Sequence, residues 1–466
     1  MKTLRLAALV AAVGLLLAAG SARAGLTGYW PLDTLGPGNT FADATGQGHT
    51  ATIHGTGVVT PAGHVGNALQ FTGDINDRLL VSPEVDLGNA WTLSAWSKNF
   101  WSSSTWRTLF RGSNKYHPLL VQNGTNHLGT HGHPDSGFHD SGYVYVPGSG
   151  PGGWDHLVGV GEVNDTAFFL NGVYVGSSDF KPTDNLGAIG NNYGAGQKFS
   201  ELLDDVAVWD EPLRVNQIQS LTTLAASPQS LPQADPLAGW WKLDETGGTA
   251  AADATGNGFH ATVAGANWVN DPQRGRVLQL TGNLNDTVKL NRSVDIGDEW
   301  TITGWFKDLL DPSHWRTFAR GETNHHPLLI ENGGWELGTY ENGGANFVGS
   351  GVDMSVYDDG LWHHIAAKGI GGSTLFYIDG GYVGQSGFQA LTDVGSLGNN
   401  YTGGQKFSNY LDDLAVFNTA LADWQIRGLG NGYFGPGNIP VPEPASLLVW
   451  SLLAGLGIGL AWRRRG

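Results

Sequence analysis

Cysteine is absent from all 466 residues, so no disulfide can staple loops together in an oxidising exterior. A bound metal ion could do that job instead. Charged residues are only 14% of the chain, and the helix formers Lys and Glu are scarce. Cations are the scarcer sign, 25 Lys and Arg against 42 Asp and Glu, for a net charge of −17. Phosphate backbones need Lys and Arg partners, so nucleic acid is excluded as a ligand. An acidic chain fits solubility or the binding of divalent cations. No helical period of 3.6 is sustained anywhere. What is abundant is glycine, 71 residues, and tryptophan, 18. Many turns and many aromatics favour an all-β protein. Its length suits two or three domains.

Both ends read as addresses. Residues 1–24 have a basic start at Lys2 and Arg5, an apolar run from Leu6 to Ala19, and a small-residue cleavage site at Ala22-Arg23-Ala24. That is a signal peptide, with a mature start near Gly25. At the other end, Pro442-Glu443-Pro444 precedes an apolar stretch from Ala445 to Trp462 and then Arg463, Arg464 and Arg465. Apolar residues followed by arginines form a stop-transfer pattern, a transmembrane helix with its arginines on the cytoplasmic side. The 441–466 segment resembles the PEP-CTERM sorting signal of exopolysaccharide-producing Gram-negative bacteria. The resemblance implies export through the inner membrane, removal of the tail by an exosortase, and delivery to the cell surface or extracellular matrix. Membrane contact is then expected only through the removable helix.

Between the ends the chain is written twice. GNNYGAGQKFSELLDDVAVWD at 190–210 returns as GNNYTGGQKFSNYLDDLAVFN at 398–418. ADATGQGHTAT at 42–52 returns at 252–262, WRTLFRG at 106–112 returns as WRTFARG at 315–321, and HPLL recurs at 117 and 326. The division that follows is a first domain over 25–224, a Pro-rich linker over 225–236, a second domain over 237–430 and a Gly/Pro spacer over 431–440. Within each copy the period is two. Trp91, Leu93 and Ala95 share one strand face, and Thr92, Ser94 and Trp96 share the other. Asn171-Gly172 and Asp379-Gly380 are the turns of two-residue hairpins. Strands this short and evenly spaced predict antiparallel sandwiches.

The order of W-x-L-D, D-x-T-G-x-G, L-x-F-x-G, W-T-x-x-x-W, the hairpin and the closing L-D-D-V-A-V-W resembles the LamG-like jelly roll of the concanavalin A-like lectin/glucanase superfamily. That resemblance implies two tandem all-β jelly rolls, each of two antiparallel sheets. It also implies a structural calcium ion tying the start of each copy to its last strand. The matching positions are Asp43 with Asp204 or Asp205, and Asp253 and Asn257 with Asp412 or Asp413; copy one has Gln47 in place of Asn257. Calcium takes six to eight hard oxygens and tolerates irregular loops. An Asx turn capped by backbone amides would use the same residues.

For carbohydrate, Trp96 and Trp305 stand among hydroxyls on a polar strand face, suited to stacking on a sugar ring. Trp101, Trp106 and Trp315 lie just beyond. Arg107 and Arg316 could grip a sugar carboxylate or sulfate, or pair with nearby Asp. The alternative for the polar face is a second core layer. His127, His131, His133 and His139, with Asp135 and Asp140, could hold zinc or copper. The matching stretch of copy two has no histidine, which favours solvated loop residues. His156 and His364 read as buried, hydrogen-bonded histidines. No E-x-D-x-E glucanase strand, G-x-S-x-G elbow or phosphate loop occurs. The reading is a non-catalytic exported protein that binds polysaccharide. The alternatives are an adhesive matrix protein that binds proteins or itself, and a polysaccharide-cleaving enzyme.

Overall fold

The computed structural model describes residues 25–440 apart from 102–103, 115, 133–136, 282, 323–324 and 345. Both terminal signals lie outside the described residues, as do His133 and Asp135. Among the described residues, no helix is long and apolar enough to cross a membrane.

Period-two patterning drives the architecture. Trp91, Leu93 and Ala95 enter one core with Trp30, Phe110 and Leu203. Trp300 and Ile302 enter a second core with Trp241, Phe318 and Leu411. The cores are separate, one per copy. Each indole N–H finds a carbonyl: Trp91 donates to Pro182 at 2.8 Å and Trp300 to Ala390 at 2.7 Å. A large apolar ring with its one donor satisfied is a favourable core residue. Truncating one to Ala costs roughly 3–5 kcal/mol.

Each copy has two 8-stranded antiparallel sheets with the same strand order. In copy one the first sheet runs Val173–Ser178, Asp165–Leu170, Trp154–Glu162, Trp91–Phe100, Ser200–Trp209, Ala68–Phe71 and Gly57–Thr60, with Leu26–Trp30 also pairing on Ser200–Trp209. The second runs Gly137–Val144, His127–Gly132, His117–Val121, Arg107–Gly112, Leu186–Ile189, Arg78–Val85, Thr50–His54 and Thr40–Phe41. The repeated L-D-D phrase therefore lies on a strand in mid-sheet. Its register slips between Asp204 and Ala207, and Asp205 and Asp413 take φ of 44° and 47°. A bulge needs a residue that tolerates the left-handed region, and Asp does. The hairpin turns form as expected, with positive φ at Asn171, Gly172, Asp379 and Gly380.

Two short helices, Val215–Thr222 and Asp423–Gly430, are not foreshadowed by any sustained 3.6 period. Eight residues suffice because the apolar contact comes from Ile218 with Leu221, and Ile426 with Leu429, three apart on one face. They cover the outer face of the first sheet in each copy. That sheet is thus packed on both sides.

The copies are docked rather than merely strung together. Glu162 of the first, fully buried, receives Arg214 at 3.2 Å and Arg292 of the second copy at 3.4 Å. Arg292 also pairs with Asp165 at 3.1 Å and donates to the Asn257 carbonyl at 3.2 Å. The linker is pinned too, Asn216 and Gln217 donating to the carbonyls of Gln233 and Pro232. Removing one partner of a buried ion cluster strands the others' charge, a loss of about 3–5 kcal/mol. Arg292→Ala is therefore expected to split the calorimetric unfolding of the intact chain into two separated transitions. A single unshifted transition would show that the cluster does not couple the copies.

Candidate functional site

The residues expected to hold calcium are committed to other donors. Asp43 accepts from the amides of Tyr29 and Thr45 at 3.1 and 2.9 Å and from the Thr45 hydroxyl at 2.7 Å. Asp253 repeats this with Trp240 and Thr255 at 3.2, 3.0 and 2.8 Å. Both are Asx turns. Asp204 accepts the amides of His64 and Val65 at 2.7 and 3.0 Å, and Asp205 the Tyr29 hydroxyl at 2.5 Å. In copy two a guanidinium stands against both carboxylates: Arg274 meets Asp412 at 2.5 Å and Asp413 at 3.0 Å. Asn257 faces the other copy, accepting the Val215 amide at 2.9 Å. Such a set does not fit a six-to-eight-oxygen shell. Among the described residues no three His, Asp or Glu side chains converge to hold a metal. His127 and His139 pair singly with Asp140 and Asp179 at 2.5 and 2.6 Å.

The polar face of the first sheet is a second layer of packing. Trp96 is 2% exposed, stacked between His64 at 3.6 Å and His156 at 4.7 Å and packed on Ala68, Trp154 and Leu202. No face of its ring is open to a sugar. Ser94 bonds His156 Nε2 at 2.8 Å, and His156 Nδ1 meets Thr222 at 2.7 Å. Burial holds the His156 imidazole near a pKa of about 3, hence neutral. Trp305 lies under the Arg274 guanidinium, 4.1 Å from the ring centre, and lines a cavity of about 200 Å³ with Thr303 and His364. Trp101 packs against the buried Lys198, whose ammonium is 4.2 Å from its ring.

Arg107 and Arg316 are buried, and among the described residues neither pairs with an Asp. Arg107 donates to the Gln122 carbonyl at 2.5 Å. Arg316 donates to the carbonyls of Leu310 at 3.2 Å, Glu331 at 2.8 Å and Gly334. They brace loops through their terminal nitrogens, and each keeps a buried Nε without a hydrogen-bond partner.

A different constellation is shared by the copies, on the outer face of the second sheet. Thr108 Oγ1 donates to Gln197 Oε1 at 2.8 Å and lies 3.0 Å from His117 Nδ1. Thr317, Gln405 and His326 repeat it at 2.8 and 3.0 Å. With the hydroxyl proton given to the carboxamide, the hydroxyl accepts from the imidazole N–H. Burial lowers His326 to about 3, so it is an uncharged hydrogen-bonding group.

Beside each triad stands an aromatic cluster. Trp106 meets His131 and Phe138 at 5.8 and 5.3 Å; Trp315 meets Tyr340 and Phe347 at 5.8 and 5.6 Å. Gly129 and Gly338 make room for the phenylalanines, since a Cβ at either would come within 2.7 Å of the Phe138 or Phe347 ring. Trp106 and Trp315 were carbohydrate candidates expected just beyond Trp96 and Trp305; they lie beside the second sheet instead. Thr108, His117, Gln197 and their counterparts were not expected, although the letters WRT, HPLL and GNNYxxGQKFS recur in both copies. Identical polar letters in a diverged pair were the signal.

The repeated phrase builds this face. Asn191, fully buried, donates to the carbonyls of Ile75 and Asp77 at 2.6 and 2.9 Å and accepts the Gln197 amide at 2.6 Å. Asn399 does the same with Leu284, Asp286 and Gln405 at 2.7, 2.6 and 2.8 Å. Gln197 and Gln405 are thereby held half-exposed over the sheet.

Two expectations concern the bulge carboxylates. Burial pushes Asp204 up to about 8, and Asp412 likewise to about 8 against the pull of Arg274. A carboxyl whose folded value exceeds its unfolded one, about 3.9, stabilises the fold below that pH and loses the contribution as pH rises to the folded value. The melting temperature should therefore fall between about pH 4 and 8. Asp204→Asn, which keeps the acceptor oxygen, should flatten that slope. Chelation should leave the melting temperature unchanged, since amides, a hydroxyl and a guanidinium already hold these acids and only Asp412 Oδ1 is buried without a partner. A chelator-dependent loss that calcium restores would reverse that assignment.

Comparison with known proteins agrees with this architecture. The model of the concanavalin A-like lectin/glucanases superfamily matches residues 72–219 and 281–427, over half of the chain. The PEP-CTERM protein-sorting motif matches residues 440–465. No curated protein matches. Among solved structures, domain 4 of the extracellular arabinanase AbnA of Geobacillus stearothermophilus, in complex with arabinotriose, is 21% identical. It covers 43% of this chain and 98% of its own, with a TM-score of 0.34. Trypanosoma rangeli sialidase with a difluorosialic acid is 11% identical over 84% and 68%, at 0.37. The binding domain of botulinum neurotoxin DC with SialylT is 10% identical over 84% and 94%, at 0.33. The sorting motif marks an exported protein processed at the cell envelope of Gram-negative bacteria. With its fold, its duplicated letters and its superfamily match in agreement, the chain belongs to the concanavalin A-like lectin/glucanase superfamily, as two tandem copies ahead of a PEP-CTERM sorting motif.

Proposed function

We propose that this is a non-catalytic carbohydrate-binding protein of the cell surface or extracellular matrix, binding polysaccharide through the outer face of the second sheet of each copy. One observation carries the reading. Two copies that have diverged at His64 and Arg274, and in their helices, keep the Thr–His–Gln triad at the same distances, 3.0 and 2.8 Å, beside an aromatic cluster. Buried Thr108 with His117, and Thr317 with His326, hold the half-exposed carboxamides of Gln197 and Gln405 in place. Those carboxamides offer a donor and an acceptor without net charge, and half-buried Trp106 or Trp315 offers an apolar wall. Sugars are recognised by that combination. The described residues shared by the two triads and their aromatic clusters include no carboxylate, whereas glycoside hydrolysis uses a pair of them across the scissile bond. Binding is the chemistry the copies have in common. Two sites on one docked body also favour a polymer over a single sugar, through effective concentration.

The test is binding of the folded, tail-free secreted form to a panel of exopolysaccharides. Trp106→Ala with Trp315→Ala is expected to weaken binding by about tenfold or more, while Trp96→Phe leaves it unchanged. A folded protein that binds no polysaccharide, or whose binding follows Trp96 instead, overturns the proposal. Release of reducing sugar would place the protein among the hydrolases of its superfamily. Loss of binding accompanied by concentration-dependent light scattering would favour self-association.

A further inference from the structure

The two copies leave their last turn differently. Helix Val215–Thr222 and the segment after it align residue for residue with Asp423–Gly430 and its sequel. Each ends on the same brace, Gln217 donating to the Pro232 carbonyl and Gln425 to the Pro440 carbonyl, both at 3.1 Å. On the exposed side the letters diverge. Copy one presents Asn216, Gln219 and Thr223, and copy two Trp424, Arg427 and Asn431. Where copy one continues with Ala225, copy two has Tyr433. Trp424 is 47% exposed and Tyr433 79%. Phe434 lies against Trp424 at 6.5 Å, and Tyr433 is the neighbour of Phe434 in the chain.

In copy one this surface leads into the linker and the second domain; in copy two it leads into the sorting segment. Because Gln425 fixes Pro440, only residues 441–444 separate the folded body from the apolar stretch at Ala445. Fully extended, the chain from Pro440 to Ala445 reaches about 18 Å. A headgroup layer is about 6 Å thick on each side of the hydrocarbon. Pro440 can then stand no more than about 12 Å above the lipid surface while Ala445 is at the hydrocarbon boundary. Tryptophan, tyrosine and arginine at that level are the residues that settle in a bilayer interface.

We propose that, until the tail is removed, the exit end of the second domain rests on the bilayer through Trp424, Arg427 and Tyr433, a contact the first domain does not make. The occupant is a lipid surface, and the sorting motif sets it there; the proposal is independent of carbohydrate binding.

A chain without cysteine allows a clean test. The full-length protein is reconstituted into vesicles of equimolar phosphatidylethanolamine and phosphatidylglycerol, with a fluorophore at Asn431→Cys or, as the matched control, at Thr223→Cys. Both positions are exposed. Lipids brominated near the headgroup should quench the label at 431 by about twofold more than the label at 223. Trp424→Asn with Tyr433→Ala should remove about half or more of that excess while a cooperative melt is retained. Equal quenching at both labels, or quenching at 431 that ignores the double substitution, overturns the contact.

Discussion

The structure depends on a buried carboxamide. Asn191 ties its loop to two backbone carbonyls of the loop before Arg78–Val85, Asn399 does the same with the loop before Thr287–Asp295, and each accepts an amide from further along its own loop. An unpaired amide in that position would cost about 1–3 kcal/mol for each group left unsatisfied. No aliphatic residue can replace it, which is why the phrase is written in Gly and Asn rather than in core letters. Once the loop is held, three things follow in order along it: Gln197 closes the polar triad, Lys198 runs inward beneath Trp101, and the strand that ends in the two aspartates enters mid-sheet. Site and architecture share one anchor.

Duplication separates constraint from drift. The triad and its aromatic neighbours have stayed put, while the outer face of the first sheet has been covered by two unrelated devices. Copy one lays His64 on Trp96 with neutral imidazoles above and below. Copy two lays a guanidinium on Trp305 and balances it with Asp412 and Asp413. The covering differs in kind and in extent, since Trp96 is fully buried while Trp305 is half-buried beside a cavity; the two copies do not hold this face to one arrangement. A binding surface behaves in the opposite way, holding particular groups at particular distances. That contrast moves the carbohydrate reading from the first sheet to the second.

Much of the fold was legible. Period two placed Trp91, Leu93 and Ala95 in a core and Thr92, Ser94 and Trp96 opposite, and both halves of that statement hold. The Asn-Gly and Asp-Gly turns and the separate cores followed from the same letters. What the pattern could not reveal is whether the opposite face is wet. Trp96 among hydroxyls reads equally as a sugar platform or as a second packing layer, and the covering groups, His64 and an eight-residue helix more than a hundred residues away, carry no periodic signal. Arg107 and Arg316 were misleading for a related reason. Backbone carbonyls are acceptors at every position, so a guanidinium that needs them leaves no trace in the sequence. The docking of the copies was hidden too: Glu162, Asp165, Arg214 and Arg292 have no counterpart in the other repeat that would flag them.

That last asymmetry gives the molecule its polarity. An interface between two copies of one domain uses unlike surfaces, so the charged cluster at Glu162 cannot recur at the end of copy two. The surface that copy one turns into the linker is, in copy two, left to face whatever follows it. Exposed tryptophan and tyrosine are costly there for a protein wholly in water, because the apolar area remains hydrated. The cost disappears if the surface meets lipid. The order of the copies is therefore not interchangeable: the one bearing Arg292 must come second to receive the first, and the one bearing Trp424 must come second to meet the membrane.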